Sequence, residues 1–138
     1  MMNLTPNVIR FIHSASRNRI VFCRDKIDGI EFVNVGRDLS ALIVEKAEHD
    51  NLQDDVNELL SRSCSNAEVG RYLALNNIGI LFEPELKLNL RSLFESYSKD
   101  QTLFICDEGS VVDNTFHFFE PSSLYNIDLS GLAYTTID

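Results

Sequence analysis

This chain lacks the signature of a phosphate-binding loop. None of its six glycines is followed by lysine, whereas the Gly-x-x-x-x-Gly-Lys-Ser/Thr motif needs that lysine to reach the terminal phosphates of a nucleotide. The glycines stand at positions 29, 36, 70, 79, 109 and 131. The sequence therefore argues against nucleotide hydrolysis of the P-loop kind.

Cysteine is scarce, and long apolar runs are missing. Three cysteines, an odd number without paired spacing, are typical of a reduced intracellular protein. Cys23 and Cys106 lie inside apolar runs and are expected in the core, whereas Cys64 lies among polar residues and is expected at the surface. No run approaches the ~20 apolar residues that span a bilayer, and no secretory signal pattern opens the chain. By elimination, the sequence predicts a cytoplasmic location.

Basic residues are few: 12 Lys and Arg stand against 21 Asp and Glu, which gives a net charge of −9. Because this balance repels phosphate backbones, we expect no direct binding of nucleic acid.

His13, His49 and His117 are far apart in the sequence and show no metal-ligand spacing, so no metal site is predicted. His117 alternates with phenylalanines and is expected at the surface of a strand.

Helical and extended patterns alternate along residues 1–138 and predict a single α/β domain. The predicted fold is a mixed sheet flanked by helices, with an antiparallel C-terminal part. Strands predicted at 19–24 and 31–35 are separated by about six residues, so they should form an antiparallel hairpin or diverge outright. The other predicted elements are a helix that begins at Thr5-Pro6, a helix capped by Asp38, a helix over about 53–63, a strand at Tyr72, a helix from Leu90 to Tyr97, and strands at 102–106, 115–119 and about 132–137.

The most informative motifs lie between Arg71 and Asp107. They are Leu75-Asn76-Asn77 at the end of an apolar strand, Phe82-Glu83-Pro84-Glu85-Leu86-Lys87-Leu88, the helix residues Leu93 to Ser98, Gln101-Thr102-Leu103 at the start of a second apolar strand, and the acidic turn Asp107-Glu108-Gly109. With the upstream Val33-Asn34-Val35-Gly36, these motifs resemble the small P-loop ATPase subunit of bacteriophage-exclusion (BREX) defence systems over about residues 19–136.

The resemblance implies a P-loop-like α/β core that has lost its catalytic parts. Where the phosphate-binding loop and its helix belong, the chain has only Asp25-Lys26-Ile27-Asp28-Gly29. Asn76, followed by Asn77, stands where the family has a magnesium-binding Asp, and a neutral amide is a weaker ligand for magnesium than a carboxylate. The resemblance thus implies a degenerate Walker-B-like position, no nucleotide or other cofactor, no enzymatic activity, and a role in a defence complex through protein–protein contacts. A homodimer through an open sheet edge is a further expectation.

An acidic cluster supports an alternative hypothesis. Its members are Glu45, Glu48, Asp50, Asp54, Asp55 and Glu58. These side chains form either an ordinary solvated face or a docking surface for a basic partner. In the second case the protein is an acidic inhibitor, or a DNA mimic directed against a nucleic-acid enzyme. A third hypothesis is a small enzyme that uses Glu83 or Glu85, although carboxylates beside Pro84 are also typical of turn chemistry before a helix.

Overall fold

Five strands of the main sheet run parallel, so the last residues of neighbouring strands lie side by side at one edge of the sheet. The computed structural model describes residues 4–45, 52–82, 88–106, 109–118 and 126–137. Its helices are α1 (Pro6–Ile12), α2 (Val35–Glu45), α3 (Leu52–Leu60), α4 (Leu90–Tyr97) and a short 3-10 helix (Ile78–Phe82). Its strands are β1 (Ile20–Cys23), β2 (Val33–Asn34), β3 (Cys64–Asn66), β4 (Gly70–Asn76), β5 (Thr102–Cys106), β6 (Gly109–Val112), β7 (Thr115–Phe118), β8 (Asn126–Asp128) and β9 (Tyr134–Ile137).

The main sheet has the order β2-β4-β5-β1-β9, and β3 is added antiparallel to β4. β6, β7 and β8 form a second, antiparallel sheet. The chain is therefore a single α/β domain with a mostly parallel sheet flanked by helices and a small antiparallel sheet. The predicted α/β class and the antiparallel pairing towards the C-terminus are confirmed, except that β9 returns to the main sheet and lies parallel to β1.

Both faces of the main sheet are buried, which explains the continuous apolar runs in the central strands. Alternate residues of each strand belong to two separate cores. Ile20 and Phe22 of β1 pack with α2, α3, α4 and the small sheet, whereas Val21 and Cys23 pack with α1 and with Ile27 of the following connection. α1 begins where the sequence predicts, since Thr5 accepts a hydrogen bond from the N–H of Val8 and Pro6 is the first helical residue.

Residues 24–32 connect β1 to β2, and they contain no helix. β1 and β2 do not form a hairpin. They diverge, which is one of the two predicted alternatives. β5 and β4 lie between β1 and β2 in the sheet. A parallel crossover normally needs a dozen residues or more, because the chain must return along the whole strand. This connection is shorter because β2 is two residues long and pairs only with Leu75 and Asn76 at the end of β4.

The predicted cap of α2 is wrong. The helix begins at Val35 rather than after Asp38, and Asp38 lies in its first turn. The side chain of Asn34 accepts a hydrogen bond from the N–H of Arg37 at 3.0 Å, which is the geometry of an N-cap. Val56, Leu59 and Leu60 form the buried face of α3, the helix predicted over about 53–63.

Candidate functional site at the carboxyl ends of the strands

The carboxyl ends of the parallel strands form the candidate site. Residues paired across neighbouring strands form one row: Asn34, Asn76, Cys106, Cys23 and Ile137. In open sheets of parallel strands, ligands bind outside this edge. Asn76, the predicted Walker-B-like residue, is the last residue of β4 and lies between Asn34 and Cys106 in the row.

Two asparagines and one glycine, namely Asn34, Asn77 and Gly36, close one half of this edge through hydrogen bonds. Asn77 adopts a left-handed backbone conformation (φ 52°), and its Nδ2 donates to Oδ1 of Asn34 at 2.9 Å. The N–H of Gly36 donates to the carbonyl of Asn77 at 3.0 Å. Because the N–H of Arg37 also binds Asn34, backbone donors in the first turn of α2 are already occupied within the protein. A phosphate has no free access to these donors.

Gly36 makes this closure sterically feasible. A Cβ atom at this position would lie 2.4 Å from Nδ2 of Asn77 and 2.9 Å from its Cγ. A side chain at position 36 would displace the Asn77 side chain, so glycine suits the close approach of the helix start to the end of β4. The sequence analysis identified Asn76 and Asn77 but missed Asn34 and Gly36 as their structural counterparts. The one available signal was the Asn-Val-Gly sequence before an amphipathic helix.

Asn76 supplies an amide where a magnesium site would need a carboxylate. Its Oδ1 atom is buried and has no hydrogen-bond partner. Among the residues that the structure describes, no group of three or more His, Cys, Asp or Glu side chains could hold a metal ion. The described part of this edge therefore offers one neutral oxygen and no cluster of anionic ligands.

Two cysteines occupy the middle of the row. Cys23 and Cys106 are directly paired neighbours on β1 and β5, and each is 5% exposed. The predicted core positions of both are confirmed. Burial raises the pKa of the Cys23 thiol far above its ordinary value, and Cys106 and Asp25 raise this pKa further. Since the thiolate is the nucleophile, this shift disfavours a nucleophilic role for Cys23 at neutral pH.

Cys64, expected at the surface, is half-buried and lies opposite Tyr72 on β4. Its Sγ donates to the Glu31 carboxylate at 3.5 Å. Burial raises the pKa of the Cys64 thiol, and the bond to Glu31 raises this pKa further. The Glu31 backbone N–H also donates to the Tyr72 hydroxyl at 2.9 Å, which fixes the connection 24–32 against β4.

A small cavity lies where β1, β5 and β9 end beneath the β6–β7 hairpin. Its volume is about 170 Å³, and Phe22, Arg24, Ser110, Phe116 and Ile137 contribute to its lining. The rings of Phe22 and Phe116 stack with their centroids 5.0 Å apart. A dry cavity of about 150 Å³ holds a molecule the size of benzene, while pockets for drug-sized ligands occupy about 300–1,000 Å³. The cavity is therefore smaller than the pockets that usually hold drug-sized ligands.

The antiparallel sheet carries a second polar row that the sequence analysis missed. Ser110, His117 and Asn126 are directly paired across β6, β7 and β8. Oγ of Ser110 and Nδ1 of His117 are both buried and have no hydrogen-bond partner. His117 is thus half-buried rather than a simple surface residue. The alternation of His117 with phenylalanine indicated its strand, but nothing local in the sequence identified Ser110 as its neighbour.

The acidic cluster is only partly described. Asp54 and Glu58 are exposed on α3, but Asp55 is 2% exposed, so the prediction that it belongs to a docking surface is wrong. Glu45 ends α2, and the position of its side chain is outside the described structure. The remaining acidic candidates, Glu48, Asp50, Glu83 and Glu85, lie outside the described residues.

Comparison with protein-family models, with curated proteins and with solved structures found no match for this chain. Among its described helices, none has the length and apolar character needed to cross a bilayer.

Proposed function

We propose that this protein is a non-catalytic α/β subunit that keeps the scaffold of a P-loop ATPase and works through protein–protein contacts. One observation carries the proposal. The connection that follows β1, at the position where a nucleotide-binding loop and helix would stand, is a non-helical segment with Ile27 and Ile30 buried against the sheet.

The parallel sheet accommodates the two strands that the sequence resemblance assigns. Numbered along the chain, β1, β2, β4, β5 and β9 are the first to fifth parallel strands, and their order across the sheet is 2-3-4-1-5. By the sequence resemblance, β1 corresponds to the P-loop strand and β4, which ends in Asn76, to the Walker B strand.

The local chemistry supports the loss of nucleotide binding. The backbone donors at Gly36 and Arg37 are occupied by Asn77 and Asn34. An amide stands at position 76, and the cavity at this edge measures about 170 Å³. The missing loop removes the backbone donors that would hold the phosphates, and the amide at position 76 is a weaker magnesium ligand than a carboxylate.

The resemblance to the bacteriophage-exclusion ATPase subunit gives the proposed setting, which is a cytoplasmic anti-phage defence complex with other protein subunits as partners. The net charge of −9 is the remaining support for the alternative, an acidic inhibitor that binds a basic site. That alternative is weakened by the burial of Asp55. A mimic needs regularly spaced charges over a long surface; among the described side chains of the cluster, Asp54 and Glu58 are exposed and Asp55 is buried.

Isothermal titration calorimetry with ATP and magnesium tests the loss of nucleotide binding. We expect no saturable binding up to millimolar ATP for the wild-type protein or for Asn76→Asp, because a carboxylate alone does not restore the missing loop. An intact P-loop ATPase in the same buffer serves as the positive control. Sub-millimolar binding, or release of phosphate from ATP, contradicts the proposal.

A plating assay tests the role in defence. The gene is deleted from its host, and phage plating efficiency is compared after complementation with the wild-type protein or with Asn76→Ala. We expect deletion to abolish protection and both proteins to restore it, since position 76 performs no chemistry in the proposal. Unchanged protection after deletion, or failure of a stably folded Asn76→Ala protein, contradicts the proposal.

A further inference from the structure

β9 lies at the open edge of the main sheet. It pairs with β1 on one side, and no described strand pairs with it on the other. The opposite edge of the sheet differs, because β2 and β3 together cover the outer side of β4. Edge strands are normally shielded in this way or protected by charge, proline or bulges, since their free backbone groups pair readily with another strand.

The hydrogen bonds of β9 show which of its groups face outward. The N–H of Ile20 donates to the carbonyl of Ala133, and Ile20 is paired with Tyr134. In a parallel pair this pattern directs the backbone of Thr135 and Ile137 towards β1. The N–H and C=O groups of Tyr134 and Thr136 therefore face the open side.

The strand lacks the charged residues and the proline that commonly protect such an edge. Its sequence, Tyr-Thr-Thr-Ile, contains no charge and no proline, and Thr136 is exposed. α1 contacts β9, and its half-buried Ile9 and Phe11 pack on the same core as Ile137. The edge is therefore flanked by partly exposed apolar side chains in a protein that is otherwise strongly acidic.

We infer that β9 pairs antiparallel with β9 of a second copy of this chain, about a twofold axis near Thr135. In that arrangement, Tyr134 of each copy exchanges both backbone hydrogen bonds with Thr136 of the other. The two Thr135 residues face each other, and such Thr–Thr pairs favour antiparallel pairing. A twofold interface must be self-complementary. An uncharged strand meets this requirement, whereas most surfaces of a chain with a net charge of −9 would repel their own copy.

This inference rests on the proposed action through protein contacts and names a partner for one surface. Its test does not involve nucleotide, so the two proposals fail separately. Nucleotide binding by a β9 dimer would contradict only the proposed function, and a monomer that binds no nucleotide would contradict only this inference.

Sedimentation velocity over micromolar concentrations tests the inference with two matched variants. Thr136→Pro removes the outward N–H and leaves the groups that bind β1 in place, because proline is tolerated at a free strand edge. Thr136→Val keeps the N–H and the β-branched shape. We expect the wild type and Thr136→Val at twice the chain mass of 15.7 kDa, and Thr136→Pro at the chain mass itself.

Circular dichroism melting establishes that Thr136→Pro is folded. Thr136→Lys provides a second disruption, because it brings two like charges onto the same face of the paired strands. We also expect hydrogen exchange at the Tyr134 and Thr136 amides to be slow in the dimer and at least tenfold faster in Thr136→Lys. A monomeric wild type at the highest concentration overturns the inference. A folded Thr136→Pro protein that stays dimeric also overturns it.

Discussion

At Gly36, a missing side chain decides how two elements meet. The helix start and the end of β4 are joined by the hydrogen bond from Gly36 to Asn77, and a Cβ would lie 2.4 Å from Nδ2 of Asn77. We expect Gly36→Ala to lower the free energy of unfolding by about 1–3 kcal/mol, which is the usual cost of overpacking. Urea denaturation measures the change.

Ser40→Ala is the matched control, since Ser40 is exposed on the same helix and alanine favours helices. The double variant Gly36→Ala with Asn77→Gly removes the clashing side chain and keeps a residue suited to positive φ. Its destabilisation should be smaller than the sum of the two single effects. Strict additivity would mean that the contact between residues 36 and 77 does not limit this site.

The Cys23 thiol should make stability depend on pH in the alkaline range. Burial raises its pKa in the folded protein above the ~8.5 of an unfolded thiol. Between these two values the unfolded chain loses a proton that the folded chain keeps. The free energy of unfolding should therefore fall as pH rises above about 8.5, by at most ~1.4 kcal/mol per pH unit for this one group.

Urea denaturation under reducing conditions at pH 8, 9 and 10 measures this slope. Cys23→Val removes the titrating group, so its stability should fall less steeply with pH than that of the wild type. Val21→Ala is the control, because Val21 faces the same core from the same strand and does not titrate. Equal slopes for the wild type and Cys23→Val would show that ionisation of Cys23 does not couple to folding.

At the scale of the element, the connection 24–32 behaves as part of the core rather than as a surface loop. Ile30 is 8% exposed, and its N–H donates to the carbonyl of Ile27 in a turn completed by Gly29 at φ 84°. We expect Ile30→Ala to cost about 2–4 kcal/mol, as for a buried isoleucine elsewhere. Chemical denaturation of the purified variant checks this value.

Val112→Ala is the control for the loss of apolar side-chain atoms, because Val112 is 41% exposed and lies at the end of β6. It should change stability by less than about 1 kcal/mol. If Ile30→Ala is as mild as Val112→Ala, the connection is not held to the sheet, and the assignment of this segment as a replacement for a nucleotide-binding helix loses its physical basis.

The elements that could be predicted are those with a strong local pattern. The apolar runs of β1, β4 and β5 and the periodic faces of α3 and α4 specify their own structure, because burial on one or both faces dictates the residue types. β2 and β3 have two and three residues, too few for a recognisable pattern. They are strands because their backbones pair with the outer side of β4. The parallel position of β9 beside β1 depends on pairing between distant segments, which no local signal contains.

The same distinction holds for the candidate site. Asn76 and Asn77 could be identified because they end an apolar run, and the absence of a phosphate-binding loop could be stated with no structure at all. Three other features could not be predicted, because each joins segments far apart in the sequence. They are the closure by Asn34 and Gly36, the pairing of Cys23 with Cys106, and the row from Ser110 to Asn126. The sequence also could not show that the Asp55 side chain is buried, since a residue with acidic neighbours is expected to be exposed to solvent.

At the scale of the whole molecule, the excess of negative charge should destabilise the folded state at low ionic strength. A net charge of −9 concentrated in a compact chain repels itself more strongly than in an expanded one. The ion pairs of Asp38 with Arg37 and Arg62 are partly exposed and offset little of this. Raising NaCl from about 20 to 300 mM shortens the screening length to below ~10 Å. We expect the free energy of unfolding to rise by on the order of 1 kcal/mol.

Thermal and urea unfolding at several salt concentrations measure this change, and choline chloride replaces NaCl to separate screening from specific binding of sodium. Screening predicts the same gain with both salts, because only ionic strength matters. If the β9 dimer forms, salt should also tighten it, since two acidic chains come together around an uncharged strand. A loss of stability with added salt would mean that attractive ion pairs outweigh repulsion between like charges. The acidic surface would then cause no net electrostatic destabilisation of the folded state.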